Sequence, residues 1–279
     1  MDDVVLAVLT GAVGGASGNL ISNYADRSVL WLKDKFHNHN EIAQQKAAEN
    51  SLEYLKQLGD KVQRLEERST KDHLTLNQAL EEPDTSILLQ KSLITASTTS
   101  NPLKHALLSD LIVKRLESNN EDYPSLIANQ ACDAIGSLSS DHIKILSVLA
   151  GIYILKPEVP QRNLSGEEHE IILINYMNSV CKCVNSINTM NAFSFKHLAA
   201  LSFISISIGS SDLFKTINGK KESNDFEVTA DRFNKLDWWP KFFEVWNDLM
   251  CHVDLTSTGI FIGCLATEQI SGLKVDLKM

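Results

Sequence analysis

Between Asp84 and Leu155, apolar residues recur at spacings of three and four in successive runs, and this restricts the chain to a helical core. The runs are Ile87, Leu88, Leu93 and Ile94, then Leu107, Leu108, Leu111, Ile112 and Leu116. A third holds Ile127, Ala131, Ile135 and Leu138, and resumes as Ile143, Leu146, Val148, Leu149 and Ile152. Such spacing gathers each set on one helix face. The intervals carry Ser100-Asn101-Pro102, Asn119 to Pro124, and Ser139-Ser140-Asp141. Pro102 and Pro124 suit the first turn of a helix, and Ser139 or Ser140 can cap the helix that follows. The block reads as a helical hub.

With 279 residues, 43% of them hydrophobic, the chain has room for one large domain or two small ones. Its 6 prolines and 13 glycines are too few for a turn-rich all-β chain, so a mostly α protein is expected. A net charge of -9 argues against a nucleic-acid footprint over the whole surface, though not against a local basic patch. The five cysteines suit reduced thiols of a cytoplasmic protein better than a disulfide framework. Met1-Asp2-Asp3 lacks the basic start of a signal peptide.

Val4 to Asn23 carries no charge, and three readings compete for it. As a nucleotide loop it resembles the glycine-rich turn of short-chain dehydrogenases at Thr10, Gly11 and Gly15. Ser17 stands where that pattern needs glycine, and no alternation of strand and helix follows. As a small-residue helix surface it offers two overlapping GxxxG pairs, Gly11 with Gly15 and Gly14 with Gly18, which let backbones approach closely between protomers or in a membrane. The third reading is an ordinary buried or frayed helix. Packing or self-association is preferred here to membrane insertion.

Asp26 to Phe36 is amphipathic, and His37-Asn38-His39-Asn40 reads as a solvated loop. From Glu41 a charged helix begins, with Ala48, Leu55, Leu58, Val62 and Leu65 forming a coiled-coil-like seam that fades at Ser69. It could pair with a partner or lie on the hub. Beyond a connector from Pro157 to Gly166, Glu167 to Met190 has helical period. Ser194 to Phe203 gives a short helix, Ile204 to Ile208 alternates as a strand, and Ser210 to Asp225, with Asn218-Gly219, reads as a turn or wing. Phe242, Phe243, Trp246, Leu249 and Met250 make an aromatic helix face, and Leu255 to Gly259 opens a last helix.

Helix, helix, helix, strand and turn from Asp141 onward is the order of a winged helix-turn-helix. A DNA reader would place cations on the third helix and wing. Here the candidates are Lys196, Lys220 and Lys221, with Glu222 and Asp225 close behind. The scaffold is therefore expected to serve protein contacts, with nucleic-acid binding as the alternative. There is no nucleophile elbow and no zincin spacing after His169-Glu170, and Cys181-x-Cys183 lacks further metal ligands nearby. No catalytic residue, metal site or cofactor is expected.

Three stretches carry a family resemblance. They are Asp84-Thr-Ser-Ile-Leu-Leu-Gln-Lys-Ser-Leu-Ile-Thr-Ala, Ile135-Gly-Ser-Leu-Ser-Ser-Asp-His-Ile-Lys-Ile-Leu, and the closing Leu255-Thr-Ser-Thr-Gly-Ile-Phe-Ile-Gly. With the uncharged glycine-containing start, their order resembles the Abi-alpha proteins, which are associated with bacterial abortive infection, and their relatives. Ser257-Thr258 departs from the proline-containing step of that family, and Asn191 to Glu227 has no counterpart. The resemblance implies a helical block followed by a winged-helix-like domain and supplies no catalytic residues. The expected layout is an N-terminal helix over 1–23, a helical domain over 24–138 and a winged-helix-like domain over 139–279. The expected role is antiphage defence by self-association or by membrane contact through Gly11, Gly14, Gly15 and Gly18. A homo-oligomer or a protein partner is anticipated.

Overall fold

A computed structural model describes residues 39–68, 82–118, 122–160, 164–220 and 228–275, with Asp34, His37 and Ala79 as isolated positions. The protein is mostly α-helical with one small antiparallel sheet. It divides into two compact units between Ser137 and Leu138.

The first unit holds four described helices: α1 (Glu41–Arg68), α2 (Pro83–Ser97), α3 (Pro102–Leu116) and α4 (Tyr123–Ile135). Asn40 opens α1 by accepting the Ala43 N–H at 2.8 Å, and Asn101 opens α3 by accepting that of Leu103 at 3.0 Å. Both caps satisfy N–H groups that the first helical turn leaves unpaired. The seam of α1 packs against α2 and α3 of the same chain. Tyr54, Leu55, Leu58 and Val62 are buried there, which gives the seam an occupant within the unit.

Several polar groups enter this core, most of them with a partner; Thr85 Oγ1, Ser125 Oγ and His105 Nδ1 are buried without one among the described residues. The Tyr54 hydroxyl meets Ser92 Oγ at 2.7 Å. His105 Nε2 lies 2.8 Å from the Thr99 carbonyl and 3.2 Å from that of Ala96. Carbonyls only accept, so that nitrogen carries the proton. Arg115, only 1% exposed, forks onto Asp84 at 2.7 and 2.9 Å and donates to the Ser118 carbonyl. The Arg115 hydrogen bonds outweigh partial burial and hold the Asp84 carboxyl below its usual range.

The second unit runs α5 (Ser140–Tyr153), α6 (Gly166–Cys181), a 3-10 turn (Val184–Ser186), α7 (Ala192–Ala200) and β1 (Ile204–Ile206). It continues with α8 (Leu213–Asn218), α9 (Ala230–Phe233), α10 (Trp239–Asp248), a second 3-10 turn (Met250–His252), β2 (Val253–Leu255) and α11 (Ser257–Ser271). Its centre is the pair α5 and α11. Gly259 and Gly263 of α11 have GxxxG spacing, with Gly263 on this contact and Gly259 against the Phe203 backbone. A Cβ at Gly263 would stand 2.6 Å from the Leu146 carbonyl oxygen and 2.7 Å from the Ala150 Cβ, and one at Gly259 would overlap the Phe203 carbonyl oxygen. Ser147 Oγ donates to Thr267 Oγ1 across the same contact at 3.2 Å. Phe242 and Trp246 of the aromatic face of α10 turn inward, with Trp246 stacked on Tyr153 at 5.6 Å between ring centres, whereas Phe243 is exposed.

Two segments differ from the sequence expectation. The helical period expected through Met190 ends at Cys181, because the following residues fold into the 3-10 turn and a loop held by Asp141. The polar stretch expected as a turn or wing from Ser210 contains α8, capped by Asp212, with Leu213 and Ile217 buried. Asn218 does not form a hairpin turn with Gly219. Its side chain bonds both the N–H and the carbonyl of Val228. β1 consequently pairs with a strand far along the chain, in the register Ile204↔Leu255, Ser205↔Asp254 and Ile206↔Val253.

Because backbone fills the space beside both glycines of α11, Gly259→Ala should destabilise the protein by about 3 kcal/mol, and Gly263→Ala by a similar amount. Gly209→Ala, where a Cβ meets nothing within 4 Å, should stay within about 0.5 kcal/mol of the parent. Urea unfolding of the three variants measures the contrast.

Candidate functional site

Sequence reasoning pointed to two surfaces. The first, Gly11, Gly14, Gly15 and Gly18, lies outside the described residues, as does Lys221. The second is the α5–α6–α7 cluster with Lys196 and Lys220, and here the geometry can be built up from single residues.

Asp141, in the first turn of α5, is the anchor. Its Oδ2 accepts the Asn188 N–H at 3.0 Å, the Thr189 N–H at 2.9 Å and the Thr189 hydroxyl at 2.9 Å. Burial tends to raise this carboxyl, but the hydrogen bonds from Thr189 and Asn188, with Lys144 nearby, outweigh it and leave it below the usual range. Lys144 Nζ donates to the Ser186 carbonyl at 3.0 Å, and Lys241 donates to that of Ile187. Asn191 then caps α7 by accepting from Phe193 N at 3.1 Å and Ser194 N at 3.2 Å. The loop is thereby fixed on three sides, and α7 starts from a set position.

α7 buries Phe195 and Leu198 and turns Phe193, Lys196 and His197 outward. Phe193 is 81% exposed. The His197 ring stacks on His142 at 4.8 Å between centres, with planes 24° apart. His142 Nδ1 accepts the Ser139 N–H at 3.1 Å while Ser139 Oγ accepts the His142 N–H at 3.2 Å, a reciprocal cap for α5. The outward face of α7 thus offers an aromatic ring, an ammonium group and an imidazole. It suits contact with a protein surface or a stacked base.

Lys220 is placed differently from Lys196. It is 5% exposed, donates to the Leu155 carbonyl just past the end of α5, and lies 6.0 Å from the centre of the Tyr176 ring. Burial lowers its ammonium to about 8, aided by Lys156. A lysine committed to a helix end in this way cannot reach a phosphate, so the grouping of Lys196 with Lys220 as nucleic-acid contacts is corrected to Lys196 alone among the described residues.

The thiols offer no nucleophile. All five are buried. Burial raises Cys132 and Cys264 to about 12, Cys183 to about 11 and Cys181 well above the usual thiol value. They are protonated at neutral pH, and the thiolate is the reactive form. Among the described residues no group of three or more His, Cys, Asp or Glu side chains is placed to hold a metal ion, and no helix is long and apolar enough to cross a membrane.

The anchoring role of Asp141 was not read from the sequence. Its only local signal is the Ser-Ser-Asp cap at residues 139–141, which says nothing of residues 188 and 189.

A family model that carries only a "-like" description, without activity, ligand or partner, matches residues 21–222. No curated protein and no solved structure matches the chain. The matched span includes the Asp141 anchor, α7 and Lys220, and begins after Gly18.

Asp141→Ala should cost about 1–2 kcal/mol by releasing three hydrogen bonds. A carboxyl with a lowered folded pKa stabilises fully above its ordinary value of 3.8, and that contribution disappears as pH falls through the folded value. Parent and variant should therefore differ at pH 7 and converge in acid below the ordinary carboxylate range. Chemical unfolding across that pH series reads both effects.

Proposed function

We propose that this chain, which belongs to the family whose model spans most of it, is a non-catalytic interaction protein that works by self-association. The resemblance to the Abi-alpha proteins makes bacterial antiphage defence the setting of this reading. The observation that carries an interaction role is a set of exposed apolar side chains on the first unit. Ile87, Tyr123 and Leu126 stand more than half exposed. Ile87 lies one turn before Lys91 on α2, and Tyr123 and Leu126 lie two to three turns before Asp133 on α4. Lys91 and Asp133 are joined at 2.8 Å, which sets the two helices side by side. The three apolar groups are thus displayed on adjacent helices of one unit, as apolar residues are where a protein meets a partner.

The double GxxxG spacing at Gly11/Gly15 and Gly14/Gly18 supports close approach of two copies at the start of the chain, or contact of that segment with lipid. In the full-length protein, Gly14→Leu with Gly15→Leu should lower the oligomeric state measured by light scattering. It should also abolish protection of cells against phage and reduce co-flotation with anionic vesicles. Unchanged oligomer, flotation and protection would remove this role from the glycine surface.

A second reading, a nucleic-acid-binding regulator, is favoured by the outward Phe193, Lys196 and His197 of α7. It predicts binding to duplex or single-stranded DNA that weakens steeply with salt, and Lys196→Ala should shallow the salt slope by about one charge. Binding absent at low salt rules this reading out.

A further inference from the structure

Two helices of the second unit open with the same reciprocal cap, built on different acceptors. At α6, Ser165 Oγ accepts the Glu168 N–H at 3.3 Å, and Glu168 Oε2 accepts the Ser165 N–H at 2.9 Å. At α5 the Ser139 N–H is accepted instead by His142 Nδ1, at 3.1 Å. A backbone N–H only donates, so Nδ1 is unprotonated in this cap and the neutral ring carries its proton on Nε2. An imidazole is the side chain that ordinarily gains a proton between about pH 8 and pH 5, and the imidazolium has two donors and no acceptor. A carboxylate keeps its lone pairs over that interval. Mild acid can therefore dismantle the α5 cap while sparing that of α6.

The first turn of α5 is also the support of α7. The His197 ring lies over that of His142, with 4.8 Å between centres and 24° between planes. We propose that the His142 cap is a pH-sensitive latch on α7: a proton taken from solvent onto His142 Nδ1 releases the Ser139 N–H, frees the ring beneath His197, and loosens α7 with the Phe193 and Lys196 it displays. The charge so gained stands at the positive end of α5. Around this turn the packed elements carry Asp141 and Lys144 on α5, Lys182 just past α6, Lys196 and His197 on α7, Lys241 on α10 and Glu268 on α11. Lysines outnumber carboxylates there, so a charged His142 meets mainly like charge, and a second proton on His197 would set two cations 4.8 Å apart. Despite burial, the hydrogen bonds from Thr189 and Asn188 hold the Asp141 carboxyl below its usual range. The loop that leads to α7 therefore stays tied while the cap titrates, which makes the response a loosening of α7 and not a loss of the fold.

The latch needs no partner, so it and the self-association reading can fail separately. Amide hydrogen exchange of the full-length protein, corrected for the intrinsic effect of pH, is compared at about pH 7.5 and about pH 5.5, on either side of an ordinary imidazole titration. The chains are the parent and His142→Gln, whose amide oxygen can accept the Ser139 N–H without titrating. In the parent, amides of α7 and of the first turn of α5 should exchange about tenfold faster at the lower pH, while the first turn of α6 keeps its protection. In His142→Gln the two pH values should give the same protection. Equal protection of α7 at both pH values in the parent overturns the latch. An acid response that survives in His142→Gln overturns it too, since another group then carries the proton. Nitrogen NMR of the His142 ring supplies a readout that does not depend on the variant: a neutral ring with its proton on Nδ1 overturns the cap on which the latch is built.

Discussion

The second unit depends on one close approach of backbones. Gly263 lets α11 lie against the Leu146 carbonyl of α5, and Gly259 lets the start of α11 touch the Phe203 carbonyl that leads into β1. No side chain fits in either place. Once that approach is fixed, Ser147 and Thr267 come within hydrogen-bond reach in a contact that excludes water. Thr256 caps α11 while its hydroxyl donates to Ser202 O at 2.6 Å, so the last helix, the small sheet and the end of α7 are held by neighbouring groups. A GxxxG spacing is therefore at work inside this chain as a packing device.

The first unit solves a different problem. Its helices carry polar groups into the core, and most are matched there, because an unpaired buried group costs more than a matched one returns. The Arg115–Asp84 fork is the clearest case: the guanidinium is buried, whereas Asp84 keeps part of its surface in water. An arrangement of this kind adds less to stability than its short distances suggest, since desolvation of the charge offsets much of the attraction. What it does fix is the position of the end of α3 against the start of α2.

The functional reading follows from where chemistry is withheld and where it is offered. Buried thiols are kept protonated, and Lys220 is spent on a helix end. Against an acidic surface, the apolar and cationic groups that face outward include Phe193 and Lys196 on α7, Ile206 and Ile208 at the sheet edge, and Ile87, Tyr123 and Leu126 on the first unit. Side chains of that kind suit recognition by surface matching.

The sequence by itself determined the helices of the hub, their proline and serine starts, and the existence of β1. Those features depend on neighbours within a few residues, and the 3.6-residue period records them directly. It also held the GxxxG of α11, although nothing local distinguishes that pair from the one at the start of the chain. Which aspartate pins which loop, whether the seam of α1 has an occupant, and which lysine reaches solvent were decided by the tertiary structure alone. Asp141 reaches Thr189 and Arg115 reaches Asp84 across dozens of residues. Lys196 and Lys220 have the same charge in sequence, yet only packing buries one and exposes the other. Helical period records the helix faces, but a side chain's partner is fixed only when distant segments are brought within about 3 Å of one another.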